Sequence, residues 1–384
     1  MSSQKNAVAL CALGAEKVVS NEIRKLGLSV IESGFGRVRF KAGIEGLYRA
    51  LMGLRAADRV LLEAASFRAL DFDELFEGVR AAAWEEYIGS GLGLRVAKVR
   101  CSRSRLAAET SVQAVVHKAA AERLCQKRGQ KRLAEDAEQA ELRVYIEKDQ
   151  VFVLLDISGE PLFKRGYRKT GGTAPIRETT AAAMILYSGW RRKFPLYDPF
   201  CGSGTIAIEA AMYAWDMAPN LGRQFAIDRL LLGDRNMERK VREELMARVD
   251  FSRLVRIGGS DSDAASVSAA RANMERAAAI VQGEREKLPS FQVLPMEEAV
   301  SDGAEGFIIT NPPYGRRLGD AESSERTYTE MGSLARQFSG WKLVLITDHP
   351  GFESFFGRKA DSCREMSNGA IRSYLFQYES LRYG

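Results

Sequence analysis

The chain has 384 residues, of which 46% are hydrophobic and 28% charged, a composition typical of a soluble globular protein with two or three domains. Lysine and arginine number 56 against 50 acidic residues, a formal net charge of +6. No apolar run reaches the length of a membrane span. The five cysteines (Cys11, Cys101, Cys125, Cys201 and Cys363) form no Cys-x-x-Cys, and His117 and His349 are the only histidines, which argues against a disulfide framework, a histidine-rich metal site and a Ser-His-Asp triad. The expectation is a cytoplasmic protein without a bound metal. Lys5 followed by the apolar residues 7–15 faintly resembles a secretory leader, but the run leads straight into an amphipathic charged helix and is read as a strand-turn-helix start.

In chain order, residues 7–13 read as a buried strand and 14–26 as a helix with Val18, Val19, Ile23 and Leu26 at helical spacing. Residues 38–41 alternate like a strand, 44–53 look helical, and 60–62 form another strand. Phe72, Leu75, Phe76 and Val79 mark a helical face. Residues 94–100 alternate apolar with basic, predicting a half-buried strand, and 109–128 predict a long helix with a basic exposed face. Residues 142–146 and 151–155 predict a hairpin around Lys148-Asp149. Residues 158–175, rich in glycine, proline and basic groups, are the best linker candidate. Beyond them strands and helices alternate: helix 176–190, strand 196–198, helix 204–215, strand 256–261, helix 263–278, strand 306–310, a helix near 327–338 and strand 342–347. This is the pattern of an α/β doubly wound sheet, preceded by an α+β part. Ligands of such sheets bind at the carboxyl ends of the strands.

The charge is uneven. Residues 1–170 carry +7 and residues 171–384 carry −1, and 91–132 hold eleven basic residues against Glu109 and Glu122. Such a surface attracts polyanions, although a solvated helix face would look the same in sequence. Combined with the catalytic signals of the second half, the charge points to nucleic acid. The candidate contacts are Arg103, Arg105, Lys118, Lys127 and Arg128, together with Lys164, Arg165 and Arg168 around Tyr167 in the linker.

Three strand ends carry chemistry. Asp198-Pro199-Phe200-Cys201-Gly202-Ser203-Gly204-Thr205 lies between a strand and a helix. Its glycines permit a tight turn and close approach of a ligand, and the helix start offers free N–H groups. It is neither the dinucleotide-binding glycine motif nor a Walker loop. Gly259-Ser260-Asp261-Ser262-Asp263 ends the next strand and places Asp261 where ribose hydroxyls are held; Asp263 fits either that task or a helix N-cap. Asn311-Pro312-Pro313-Tyr314-Gly315 follows a third strand. Two prolines cannot continue the strand and fix a projecting turn. That turn offers an amide, a carbonyl and a ring, which are the parts needed to hold a planar base.

These residues resemble the class I S-adenosylmethionine-dependent amino-methyltransferases, the first as their cofactor loop and the third as their catalytic motif. Lys164-Arg165-Gly166-Tyr167-Arg168, Ala174-Pro175-Ile176-Arg177-Glu178-Thr179 and Asn311-Pro312-Pro313-Tyr314-Gly315 with Leu318-Gly319 further resemble the THUMP-domain-bearing ribosomal RNA guanine-N2 methyltransferases, the family of the N-terminal half of bacterial RlmL. Leu54-Arg55, Ala57-Asp58-Arg59 and Trp84 extend the likeness into the front part, and short proteins labelled N6-adenine-specific DNA methylases are similar. The resemblance implies a ferredoxin-like domain (1–66), a THUMP RNA-binding domain (67–157), a linker (158–175) and a Rossmann-like methyltransferase domain (176–384). It implies S-adenosyl-L-methionine as cofactor, held by Asp198, Cys201, Gly202, Gly204 and Thr205, with Asp261 and Asp263 at the ribose and Thr179 bordering the pocket. Cys201 is expected to pack rather than attack. Asn311, Pro312 and Tyr314 are expected to hold the target amine and base. The adenine-side acidic residue of many such enzymes has no clear counterpart; Met296 and Glu297 are the nearest candidates. The implied reaction is methylation of a guanine N2 in 23S ribosomal RNA. A transfer-RNA guanine-N2 enzyme, an adenine-N6 enzyme on RNA or DNA, and an idle RNA-binding assembly factor are the alternatives.

Overall fold

The computed structural model describes residues 4–133, 138–168, 176–253, 256–283, 288–301, 303, 305–313, 320–369 and 371–382. Two seven-stranded sheets organise it.

The first sheet is built from β1 (Lys5–Cys11), β2 (Ser29–Gly34), β3 (Arg37–Ala42), β4 (Ala57–Arg68), β5 (Gly93–Ser102), β6 (Gln139–Glu147) and β7 (Gln150–Asp156), in the order β2-β3-β1-β4-β7-β6-β5. The helices of this half are α1 (Glu16–Lys25), α2 (Ile44–Gly53), α3 (Phe72–Ala81) and α4 (Glu109–Arg128). α1 buries Val18, Val19 and Ile23, with Glu16 in its first turn and Arg24 and Lys25 in its last, each charge suited to its end of the helix dipole. α4 spans the residues expected of it and ends at Gly129, whose φ of +63° turns the chain out. The β6–β7 hairpin closes on Lys148 and Asp149, with φ of +52° and +64°. This is the two-residue turn whose twist matches that of the strands.

β4 is the strand that joins the first part of this sheet to the second. It pairs with β1 on one side and β7 on the other, so the boundary expected at residue 66 falls inside a strand of one continuous sheet. That sheet is strongly coiled. Arg37 on β3 reaches Glu147 on β6, four strands away, at 2.6 Å. Val8, Leu61 and Leu154 form a small apolar cluster of their own beneath Tyr145 and Phe152.

The second half carries β8 (Leu196–Asp198), β9 (Ile257–Asp261), β10 (Ser290–Val293), β11 (Phe307–Thr310), β12 (Lys342–Thr347), β13 (Ser362–Asn368) and β14 (Ile371–Tyr378), in the order β10-β9-β8-β11-β12-β14-β13. The first five run parallel, and β14 and β13 are antiparallel to their neighbours. The helices are α5 (Glu178–Tyr187), α6 (Thr205–Ala214), α7 (Arg235–Met246), α8 (Ala264–Ala279), α9 (Asp320–Glu330), α10 (Leu334–Gln337) and α11 (Phe352–Phe356). All four residues of β11 are buried, as befits a central strand of a parallel sheet. No described helix is long and apolar enough to cross a membrane.

Residues 158–168 are not a loose linker. The Arg165 guanidinium and the Glu209 carboxylate are fully buried and 3.3 Å apart. Arg165 also donates to Leu162 O and Asn220 Oδ1, while Asn220 donates to Leu51 O and Leu54 O. The segment therefore runs through the junction of the two halves and pins α2 to α6. The rest of the expected linker, 169–175, lies outside the described residues.

Candidate active site

The carboxyl ends of β8, β9 and β11 meet at one place. Asp198, ending β8, is 1% exposed. Its Oδ1 accepts from Thr310 Oγ1 (2.7 Å), at the end of β11, and from the Phe200 amide (3.1 Å). Asp261, ending β9, accepts from Gly202 N at 2.9 Å with one oxygen and from Asp263 N at 3.0 Å with the other. The loop between β8 and α6 is thus held by both neighbouring strands. Cys201 N donates to Ser260 O (2.8 Å), and Asn273 Nδ2 to Ser203 O (2.9 Å). Burial pushes the Asp198 carboxyl up to about 7, with Asp261 adding to the rise and the Thr310 and Phe200 hydrogen bonds opposing it.

The two loop glycines serve different ends. A side chain on Gly204 (φ +83°) would place Cβ 2.9 Å from Ala270 Cβ, so this glycine lets α6 lie close to α8. Gly202 (φ +50°) has nothing within 4 Å of that position, an open cradle beside Asp198 and Asp261. Ser203 Oγ and Asn311 Oδ1 border this region, both buried and without a hydrogen-bond partner among the described residues. A buried acceptor left unpaired is rare and fits a site that takes hydrogens from a ligand. The cradle and the two orphaned oxygens fit a class I methyltransferase cofactor pocket beside an amine-binding turn.

The turn at Asn311-Pro312-Pro313 has a support that sequence reasoning missed. Pro312 and Pro313 have no N–H, so the turn is held through its carbonyls. Tyr328 on α9, fully buried, donates to Pro313 O at 3.2 Å and lies 2.9 Å from Thr347 Oγ1. A phenol has one proton. Since it goes to Pro313 O, Thr347 must donate to Tyr328, and Thr347 Oγ1 in turn accepts from His349 N at 3.1 Å. A one-way chain, His349 N–H to Thr347 to Tyr328 to Pro313, anchors the turn to the end of β12. The Pro-Pro pair is the only signal in the sequence that an outside anchor is needed.

The sequence of the chain matches the family model described as RMKL-like, methyltransferase domain, over residues 165–376, and the model for the RlmL ferredoxin-like domain over residues 6–61. The chain belongs to this RMKL-like methyltransferase family. The Bacillus subtilis (strain 168) protein named "Putative RNA methyltransferase YpsC" is 35% identical over 97% of this chain and 95% of its own length. The "Ribosomal RNA large subunit methyltransferase K/L" of Syntrophotalea carbinolica is 34% identical over 95% of this chain, which spans 52% of that relative. Among solved structures, SMU.472 complexed with SAH superimposes with a TM-score of 0.88 at 35% identity, both chains covered in full.

Within this methyltransferase, several expected roles change. The Thr179 hydroxyl is taken up in the fold: it donates to Asp58 Oδ1 at 2.5 Å and ties α5 to β4. Asp263 is the N-cap of α8, accepting from Ala265 N and Ser266 N, so the capping role holds. Cys201 is 5% exposed, packs against Gly259 and has its thiol pushed far up by burial, which fits packing rather than attack. Thr205 begins α6 and is buried. Met296 belongs to the core around Ile308 and Leu334, while Glu297 is exposed. Tyr314 lies outside the described residues, as do Leu318 and Gly319.

The RNA contacts divide as well. Arg165 and Tyr167 are 1% exposed and engaged with Glu209; both are interior residues, so a surface role is overturned. Arg128 donates to Ile88 O, Gly89 O and Leu92 O and anchors the end of α4. Arg168 is half-buried, 2.5 Å from Glu178. Arg103, Arg105, Lys118, Lys127 and Lys164 are exposed. A cleft of about 1010 Å³ opens between α4 and the edge strand β5, bordered by Arg95, Lys118, Lys131 and Arg132. Gln113 donates to Val96 O, and a ring nitrogen of His117 lies 3.2 Å from Leu94 O, so side chains from α4 cover part of that strand's backbone edge.

Proposed function

We propose that this methyltransferase transfers a methyl group from S-adenosylmethionine to the exocyclic N2 of a guanine in 23S ribosomal RNA. The observation that carries the reading is Asn311 Oδ1, buried at the end of β11 and unpaired among the described residues, beside the strand ends that hold Asp198 and Asp261.

The bound cofactor supplies an electrophilic sulfonium methyl. Everything else falls to the chain. Asn311 Oδ1 and the Pro312 carbonyl accept the two hydrogens of the target amine, which turns its lone pair out of conjugation with the ring and aims it. Asp198 and the Gly202 cradle hold the methionine end, and Asp261 the ribose. Tyr314 supplies a ring for the extruded base, offsetting an unstacking cost of a few kcal/mol. Positioning and electrostatics carry the rate, and no histidine base is required.

Residues 67–157 act in this reading as the THUMP module, and Arg103, Arg105, Lys118, Lys127 and Lys164 as its phosphate contacts along with the neighbouring segment. The relative named for RNA methylation at nearly full length and the relatives named for large-subunit ribosomal RNA support RNA over DNA. The test is nucleoside mass spectrometry after incubation with isotope-labelled S-adenosylmethionine and, separately, unmodified ribosomal RNA, transfer RNA and duplex DNA. Labelled N2-methylguanosine from ribosomal RNA is expected. Label confined to transfer RNA, or labelled N6-methyladenine, overturns the assignment.

A further inference from the structure

The β2–β3 hairpin turns through two residues, with Gly34 paired to Arg37. Phe35 and Gly36 form its tip, with φ of +53° and +73°. Positive φ at both central positions is the signature of a type I′ turn, for which asparagine or aspartate followed by glycine is favoured. Gly36 meets that demand, but Phe35 does not. A bulky side chain held at positive φ is strained, and here the strain brings no burial, since Phe35 is 81% exposed. The turn would close better with almost any small polar residue in its place.

The tip is also placed. Cys11 N donates to Gly36 O at 2.8 Å, fixing the turn to the end of β1. Two residues on, Leu13 N donates to Ser367 Oγ (2.8 Å) and Leu13 O accepts from Ser367 N (3.0 Å). Ser367 pairs with Arg372, beyond the Thr347–Tyr374 pair at which β12 ends. The hairpin therefore sits on the rim of the second sheet that also carries the Asn311 turn. Three strand spacings separate β11 from β13, roughly 14 Å at the usual spacing, and the step from Ser367 through Leu13 to the tip adds to it; a short single-stranded segment of RNA can span the whole.

The chemistry of the tip selects the partner. Arg37 beside it is already paired with Glu147, and the Glu16 carboxylate is taken up by Gly36 N at 2.7 Å, so the group the tip leaves free is the ring. Protein docking calls for a contiguous apolar patch of hundreds of Å², whereas one ring suffices for one nucleobase. We propose that Phe35 is a stacking contact for an unpaired base of the substrate RNA, a few nucleotides from the methylated one. The inference rests on the RNA reading above.

The test uses the full chain, transcribed 23S ribosomal RNA and two variants. Phe35→Asn should raise Tm, because it relieves the turn, leave S-adenosylhomocysteine affinity unchanged, and weaken RNA binding about tenfold, the order expected for one lost stack. Phe35→Trp should keep RNA affinity, with its indole emission altered on binding. Wild-type methylation of the same RNA reports separately on the parent reading. Wild-type RNA affinity in Phe35→Asn overturns the proposal and leaves a protein surface as the remaining role. A lowered Tm in that variant makes the ring structural and overturns it too.

Discussion

Thr310 donates its hydroxyl to Asp198 Oδ1 at 2.7 Å, joining the strand that leads into the catalytic turn to the strand that leads into the cofactor loop. The bond stabilises the charged form and opposes burial, which still leaves the carboxyl pushed up to about 7. An unfolded aspartate titrates near 4. Between those values the folded chain holds a proton that the unfolded chain has lost, so this group's contribution to stability falls as pH rises from about 4 to about 7 and is flat above. Chemical denaturation across pH 4–8 should show that fall in the wild type and a shallower one in Asp198→Asn. Cofactor affinity should move the other way, rising through about pH 7 as the carboxylate forms to meet the cofactor's ammonium.

Tyr328→Phe removes the hydroxyl that, among the described residues, reaches Pro313 O and keeps the ring packed against His349 and Phe352. The turn loses an anchor and the buried Thr347 hydroxyl loses its acceptor, while the ring packing stays. The expected result is a fall in kcat of about tenfold, as for a misplaced reacting group, with cofactor Kd unchanged and a fall in stability limited to about 1–3 kcal/mol, the cost of a buried hydrogen bond left unmade. Thr347→Val should reproduce part of it, and the double variant should lose no more than the worse single, since the two hydroxyls act in one chain. Equal losses in kcat and stability would make Tyr328 a packing residue only.

Arg165 and Glu209 form an ion pair with no exposed surface. Removing one partner leaves a buried charge unmatched, so Arg165→Met should destabilise by about 3–5 kcal/mol, seen as a large shift in denaturation midpoint. Arg165→Met/Glu209→Leu should recover most of it. RNA affinity measured on the folded double variant should match the wild type, because neither side chain reaches the surface.

Lys118→Ala/Lys127→Ala tests the opposite case. Both lysines are exposed, and each phosphate contact contributes roughly 0.7–0.9 to the slope of log K against log salt. The double variant should bind RNA more weakly and with a slope reduced by about 1.5, while S-adenosylhomocysteine binding stays as it was. An unchanged slope would remove these two residues from the RNA surface.

The three strand ends were legible because their signals are local: a glycine turn after β8, an acid after β9, a proline pair after β11. Helix α4 and the turn at Lys148-Asp149 were legible for the same reason, as periodicity and turn chemistry need no distant partner. What the sequence hid depends on distance. The basic residues of 164–168 read as a surface run, yet Arg165 meets Glu209 and Asn220, 44 and 55 positions away. Thr179 looked like a pocket residue and meets Asp58, 121 positions away. β2 and β10 are short, largely exposed strands whose mixed patterns do not reach the period of a half-buried strand. The β13–β14 hairpin also went unread, and its pairing with β12 is what closes that edge of the second sheet. Tyr328 sits in a helix of polar residues, DAESSERTYTE, where only the fold shows what its hydroxyl reaches.

The central claim is that Asn311 acts on the target amine and not on the cofactor or the fold. Its most direct test is Asn311→Ala, measured by single-turnover methyl transfer to ribosomal RNA and by calorimetric binding of S-adenosylhomocysteine on the same sample. Turnover should fall by 10²–10³-fold, the order of one lost transition-state hydrogen bond, with cofactor Kd held within about twofold. Tm should be unchanged or raised, because the variant deletes a buried acceptor that has no partner among the described residues. Methyl transfer near the wild-type rate, or a loss that tracks weakened cofactor binding, would contradict the account.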